Sequence, residues 1–261
     1  MELFSNYPVE ILVFLFAIGG LAGFLNTLGG CGGLLTIPAL LMSGLSPIFA
    51  LGTHKLQTTV GVGSATLLLF KKKKFLWRKI RSIVITAFLG AIVGAFMVQY
   101  INTSTLSIIV PIVLVVTGVY FLVEPSLTKT LFTSKTSYGD TYRDVVIPVI
   151  GFYDGMFGPG TGSFFVLAST VYKRIGLITA SIIAKPLNFS TNIASVIVFI
   201  LYGHIVWELA LLMMVSQIIG SILGAQYLIK ANPTVIRILI VVVSFAMMIK
   251  YLYDMEIIQL I

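Results

Sequence analysis

Apolar runs follow one another from residue 9 to residue 253, and only one long stretch between them, residues 124–144, is polar. In hydrocarbon there is no water to satisfy a bare N–H or C=O, so such a chain closes its backbone hydrogen bonds within each segment, as a helix does. The expected fold class is all-α, a polytopic transmembrane helical bundle. With 58% hydrophobic and 10% charged residues, against about 25% charged in soluble domains, a soluble enzyme with an anchor is excluded. A span needs about 20 apolar residues. Candidate segments are 9–27, 33–45, 48–70, 80–100, 105–123, 145–157, 162–173, 177–201, 206–229 and 234–253. The first two segments in each half of the chain are short, and full crossings or re-entrant hairpins stay open there.

Several residues recur at one interval. Lys55 and Lys185 stand 130 positions apart, as do Trp77 and Trp207, Gly90 and Gly220, Gly94 and Gly224, and Asn102 and Asn232. Two homologous repeats are expected, residues 1–123 and 145–261, joined by a cytoplasmic linker, 124–144. The net charge of +8 comes largely from residues 71–81 (KKKKFLWRKIR). Between apolar helices such a cluster fixes orientation and does not signal nucleic acid. With that loop in the cytoplasm, fourteen of the 17 Lys and Arg residues fall inside. Both termini then lie outside, each repeat crosses an odd number of times, and the repeats are inverted. Transporters of this plan bind substrate near the midplane. A parallel duplication is the alternative. Residues 1–10 hold Glu2 and Glu10 and no Lys or Arg, so no cleavable signal is expected.

Two glycine-rich breaks interrupt the short segments: Gly29-Gly30-Cys31-Gly32-Gly33 and Gly158-Pro159-Gly160-Thr161-Gly162, the latter followed by Ser163. Irregular backbone at membrane depth survives only where it is buried in protein or lines a cavity. The N–H groups that open the next half-helix favour an anion. Gly30, Gly32, Gly33, Gly160, Thr161, Gly162 and Ser163 are therefore candidate substrate contacts.

The following long segments carry Lys55 and Lys185. A charge at the bilayer centre costs about 2.5–3.5 kcal/mol on insertion scales. Asn188 and Asn192 share the helical face of Lys185, and Thr58 shares that of Lys55. These donors suit an oxyanion. The alternative is that each lysine snorkels to an interface or bonds a carbonyl. Asp154 lies well inside an apolar run, with Asn26 in the corresponding place of the first half. A proton carrier, a fixed salt bridge to Lys185 and a helix cap are all open for Asp154. His54 is a second proton-coupling candidate, with a hydrogen-bonded structural role the alternative. His204 falls in an outer loop without assigned function. Gly90-x-x-x-Gly94 and Gly220-x-x-x-Gly224 permit close helix packing, within the chain or between protomers. The lone Cys31 reads as a packing residue, and one thiol builds neither a disulfide nor a metal site. No cofactor, metal or catalytic motif is expected, so the chain is read as a non-enzyme.

The stretch Gly30-Cys-Gly-Gly-Leu-Leu-Thr-Ile-Pro-Ala-Leu, followed by Ala50-Leu-Gly-Thr-His-Lys-Leu-Gln, resembles the first signature of the sulfite exporter TauE/SafE (TSUP) family, in its YfcA-like branch. Gly151-Phe-Tyr-Asp-Gly-Met-Phe-Gly-Pro-Gly-Thr-Gly-Ser-Phe-Phe resembles the second. The resemblance implies a secondary transporter of sulfur oxyanions or organosulfonates in a bacterial inner membrane. The chain departs from the pattern at Asn26, where Asp is expected, at His54 (Asn) and at Cys31 (Gly), so coupling through a carboxylate in both repeats is not implied. Alternating access around Lys55 and Lys185 converging on one anion is the expected mechanism, with proton coupling through Asp154 secondary. An anion channel and a non-transporting membrane scaffold are the alternatives. Expected partners are the small anion and the lipid bilayer, with homo-oligomerisation open.

Overall fold

The computed structural model describes residues 7–123 and 139–228, with Tyr253. Most of the candidate segment 234–253 and of the linker therefore lies outside the described residues. The described residues form helices and connecting turns, with no strand. In chain order these are α1 (Val9–Gly29), α2 (Gly33–Met42), α3 (Pro47–Lys71), α4 (Trp77–Val98) and α5 (Thr103–Val123). A short α6 (Gly139–Thr141) and a π-helical stretch (Tyr142–Val146) run into α7 (Ile147–Met156). Then come α8 (Thr161–Lys173), α9 (Leu177–Leu201) and α10 (Trp207–Tyr227). Residues 139–144, read from the sequence as linker, are helical and continuous with α7.

Five helices among the described residues, α1, α4, α5, α9 and α10, are long and apolar enough to cross a bilayer. The chain is a multi-pass membrane protein. At 25 residues α3 is also long enough, but its first half is polar: Thr53, His54, Lys55, Gln57 and Thr58 are all buried. Such a helix is tolerated because its polar side faces protein. α2 and α8 have 10 and 13 residues. At 1.5 Å per residue they reach about 15 and 20 Å, short of a hydrocarbon core about 30 Å thick. Each follows a longer helical run, so neither short segment is a full crossing.

The packing crosses between the two halves of the chain. α1 lies along α10, α7 along α4, and α3 and α9 pack on each other and on α10 and α4 respectively. The two small-residue pairs mediate these contacts. Gly94 faces Phe152 and Met156 of α7, and Gly220 faces Gly20 and Phe24 of α1. A Cβ on Gly94 would lie 3.1 Å from the Met156 nitrogen, and one on Gly220 would lie 2.9 Å from the Phe24 nitrogen. The partner left open by the sequence is thus within the chain. The opposite faces carry apolar side chains at four-residue steps. Ile85, Leu89 and Val93 on α4, and Leu211, Val215, Ile219 and Leu223 on α10, are exposed, as lipid-facing stripes are. Trp77 and Trp207 are half-exposed at the first residues of α4 and α10, where aromatic anchors sit at membrane interfaces.

Candidate substrate site

α1 ends because Gly30 takes a left-handed conformation (φ 75°), and its N–H bonds the Asn26 carbonyl at 2.8 Å. Glycine meets no Cβ penalty there. The Asn26 side chain then receives the Gly32 N–H at 3.1 Å, holding the turn into α2. α7 ends similarly, with Gly158 and Gly160 at positive φ. The Tyr153 hydroxyl donates to the Pro159 carbonyl at 2.8 Å, and the Thr161 hydroxyl to that of Gly158 at 2.8 Å.

The two breaks touch. A Cβ on Gly30 would lie 2.5 Å from the Gly162 Cα, so only glycines allow this approach. The Ser163 hydroxyl bonds the Gly29 carbonyl, and Cys31 Sγ lies 3.5 Å from Ser163 Oγ. Gly33 packs against Pro159 and the His54 ring. The glycine candidates, Thr161 and Ser163 are therefore brought together.

Lys55 and Lys185 are buried, at 0% and 2% exposure, so neither snorkels to an interface. Each reaches the end of a broken helix from the other half of the chain. Lys55 Nζ bonds the Asp154 carbonyl of α7 and lies 2.8 Å from Asp154 Oδ1. Lys185 Nζ donates to the Asn26 carbonyl of α1 at 2.8 Å. A helix C-terminus presents unpaired carbonyls and the negative end of the dipole, and both favour a cation.

Asp154 thus pairs with Lys55, not with Lys185. The carboxylate also accepts the Thr161 hydroxyl at 3.1 Å on Oδ1. On Oδ2 it accepts the Thr191 hydroxyl and the amides of Asn188 and Asn192, each at 3.4 Å. Asn188 and Asn192 do share a face, but it serves Asp154.

The two ammonium groups share no partner: Lys55 bonds the end of α7 and Lys185 the end of α1. Gly52 packs on Phe199 and Gly63 on Phe189, so α3 and α9 run antiparallel.

Thr58 and His54 belong to another cluster. His54 Nδ1 lies 2.6 Å from the Thr36 hydroxyl and 3.3 Å from that of Thr58, which also receives the Gln217 amide at 3.4 Å. Thr191, Thr36, Tyr153 and Gln217 were missed from the sequence. Thr191 stood three positions after Asn188, on its helical face, and that spacing could have found it. The others join through tertiary contacts with no local signal. Several buried polar atoms have no hydrogen-bond partner: Asn26 Nδ2, both ends of Gln57, Asn192 Oδ1 and Gln217 Oε1. No cluster among the described residues could hold a metal ion.

The family model for the sulfite exporter TauE/SafE matches residues 15–251. The chain belongs to the sulfite exporter TauE/SafE family. A probable membrane transporter protein of Haemophilus influenzae is 39% identical over 246 residues, covering 94% of this chain and 96% of that one. The probable membrane transporter protein YfcA of Escherichia coli K12 is 38% identical over 253 residues, covering 97% and 93%. YunE of Bacillus subtilis, also described as a probable membrane transporter protein, is 24% identical over 238 residues, covering 82% of this chain and 86% of that one. No solved structure matches.

Proposed function

We propose that this chain is a secondary transporter of a small anion, a sulfur oxyanion or organosulfonate, in the bacterial inner membrane. The observation that carries this reading is Lys185. It is buried at the contact between two helix breaks, bonded to a carbonyl, and unpaired with any carboxylate among the described residues. A lone cation in a low-dielectric interior is costly, and an anionic solute offsets that cost. The family description, sulfite exporter, supports the sulfur chemistry.

The crossed contacts support inverted repeats that move against each other for alternating access. Lys55 meets the end of α7 as Lys185 meets the end of α1, and α7 packs on α4 as α1 packs on α10. Proton coupling belongs to Asp154, whose protonation would loosen its hold on Lys55. His54, held between two threonine hydroxyls, is the weaker candidate. The test is uptake of labelled sulfite and methanesulfonate into proteoliposomes. Protein-dependent flux that falls at least about tenfold in Lys185→Ala supports the reading, a factor worth 1.4 kcal/mol. Wild-type flux in that variant overturns the role of Lys185. Accumulation against a gradient when a pH difference is imposed separates a carrier from a channel.

A further inference from the structure

Building on that transport reading, we propose that the site is made for a monoanion, with Lys185 supplying the one uncompensated buried charge among the described residues and Lys55–Asp154 forming a neutral pair inside the protein. Among the described residues only three Lys, Arg, Asp or Glu side chains are buried: Lys55, Asp154 and Lys185. Lys55 and Asp154 are in contact at 2.8 Å, at 0% and 1% exposure. The carboxylate is further surrounded by donors from Thr161, Asn188, Thr191 and Asn192. This cradle already holds an oxyanion, and that oxyanion is part of the chain.

Lys185 makes the same kind of contact with the other broken helix, but the residue there is Asn26, which brings an amide and no charge. The Asn26 Oδ1 is engaged by the Gly32 N–H, while its Nδ2 is buried without a partner. A cation and an unused amide donor therefore sit at one helix end. The formal charge of the buried set is +1. One negative charge neutralises it, whereas a dianion leaves an unpaired charge away from water, a strongly unfavourable state. The favoured class is a sulfonate, or sulfite in its singly ionised form. Sulfate and doubly ionised sulfite are disfavoured.

The experiment is competition in proteoliposomes at one fixed pH. Uptake of labelled methanesulfonate is measured against unlabelled methanesulfonate or sulfate. In the wild type methanesulfonate competes at least about tenfold better than sulfate. Asp154→Asn leaves both lysines uncompensated and moves the preference toward sulfate by about tenfold or more. Adding Lys55→Met to that variant restores the preference for methanesulfonate. Equal competition by the two anions in the wild type overturns the inference, as does an unchanged preference in a folded Asp154→Asn protein. Should Asp154→Asn fail to fold or lose uptake, the wild-type ratio decides. Absence of protein-dependent uptake of methanesulfonate and sulfite is a separate result. It removes the transport reading and this inference with it.

Discussion

Asp154 is bound by side chains from three helices, Lys55 on α3, Thr161 on α8 and Asn188, Thr191 and Asn192 on α9. Removing the carboxylate and removing one of its donors should have different consequences. Asp154→Ala strands the Lys55 ammonium at 0% exposure, and breaking a buried pair from one side costs about 3–5 kcal/mol. The midpoint of unfolding in detergent should fall sharply, and Lys55→Met in the same chain should recover most of it. Thr191→Val removes one hydroxyl while the remaining donors stay, so the loss is about 1 kcal/mol. Equal effects of Asp154→Ala and Thr191→Val would contradict the pairing. Both lysines and Asp154 were legible in the sequence, because charges within apolar runs are costly wherever they sit. Their pairing was not. Lys185 was offered as partner for Asp154, but a contact such as Lys55–Asp154, 99 residues apart, is set by which helices pack and leaves no local pattern.

At the level of elements, the close contacts of α4 with α7 and of α1 with α10 rest on missing side chains. Gly220→Ala places a methyl against the backbone of Gly20 and Phe24, and Gly94→Ala places one against Phe152 and Met156. Backbone cannot rotate aside, so each substitution forces the helices apart at a cost of about 1–3 kcal/mol. Gly176→Ala serves as the control, since nothing lies within 4 Å of its added Cβ. Thermal unfolding in detergent should separate the first two from the third. Helix positions were largely legible, because apolar length marks a span. The sequence segment 177–201 and α9 (Leu177–Leu201) coincide, and 9–27 differs from α1 (Val9–Gly29) by two residues at one end. The choice between crossing and hairpin was not legible, since a short apolar run is compatible with either. It took the lengths of α2 and α8 to decide that these do not cross. The loop after α9 was also richer than its composition suggested. His204 Nδ1 lies 2.6 Å from Gln99 Oε1 at the end of α4, and the Val206 N–H bonds the Thr53 hydroxyl of α3.

For the whole molecule, orientation decides which buried lysine serves which side of the membrane. Lys55 lies eight residues from the start of α3 and Lys185 eight from the start of α9, each about 12 Å along its helix. Because α3 and α9 are antiparallel, each lysine is nearer, along its own helix, to a different membrane face. If residues 71–74 are cytoplasmic, as their charge predicts, Lys55 is nearer the outside and Lys185 nearer the cytoplasm. A solute entering from the cytoplasm then meets Lys185 before it reaches the Lys55–Asp154 pair. The single cysteine makes this testable, because Cys31 is fully buried and Cys31→Ser leaves no thiol. In that background, Lys72→Cys and Tyr202→Cys place thiols at exposed turns after α3 and α9. A membrane-impermeant maleimide added to intact spheroplasts should label Cys at 202 and spare Cys at 72 until the membrane is opened. The reverse pattern would turn the molecule over, placing Lys185 nearer the outside.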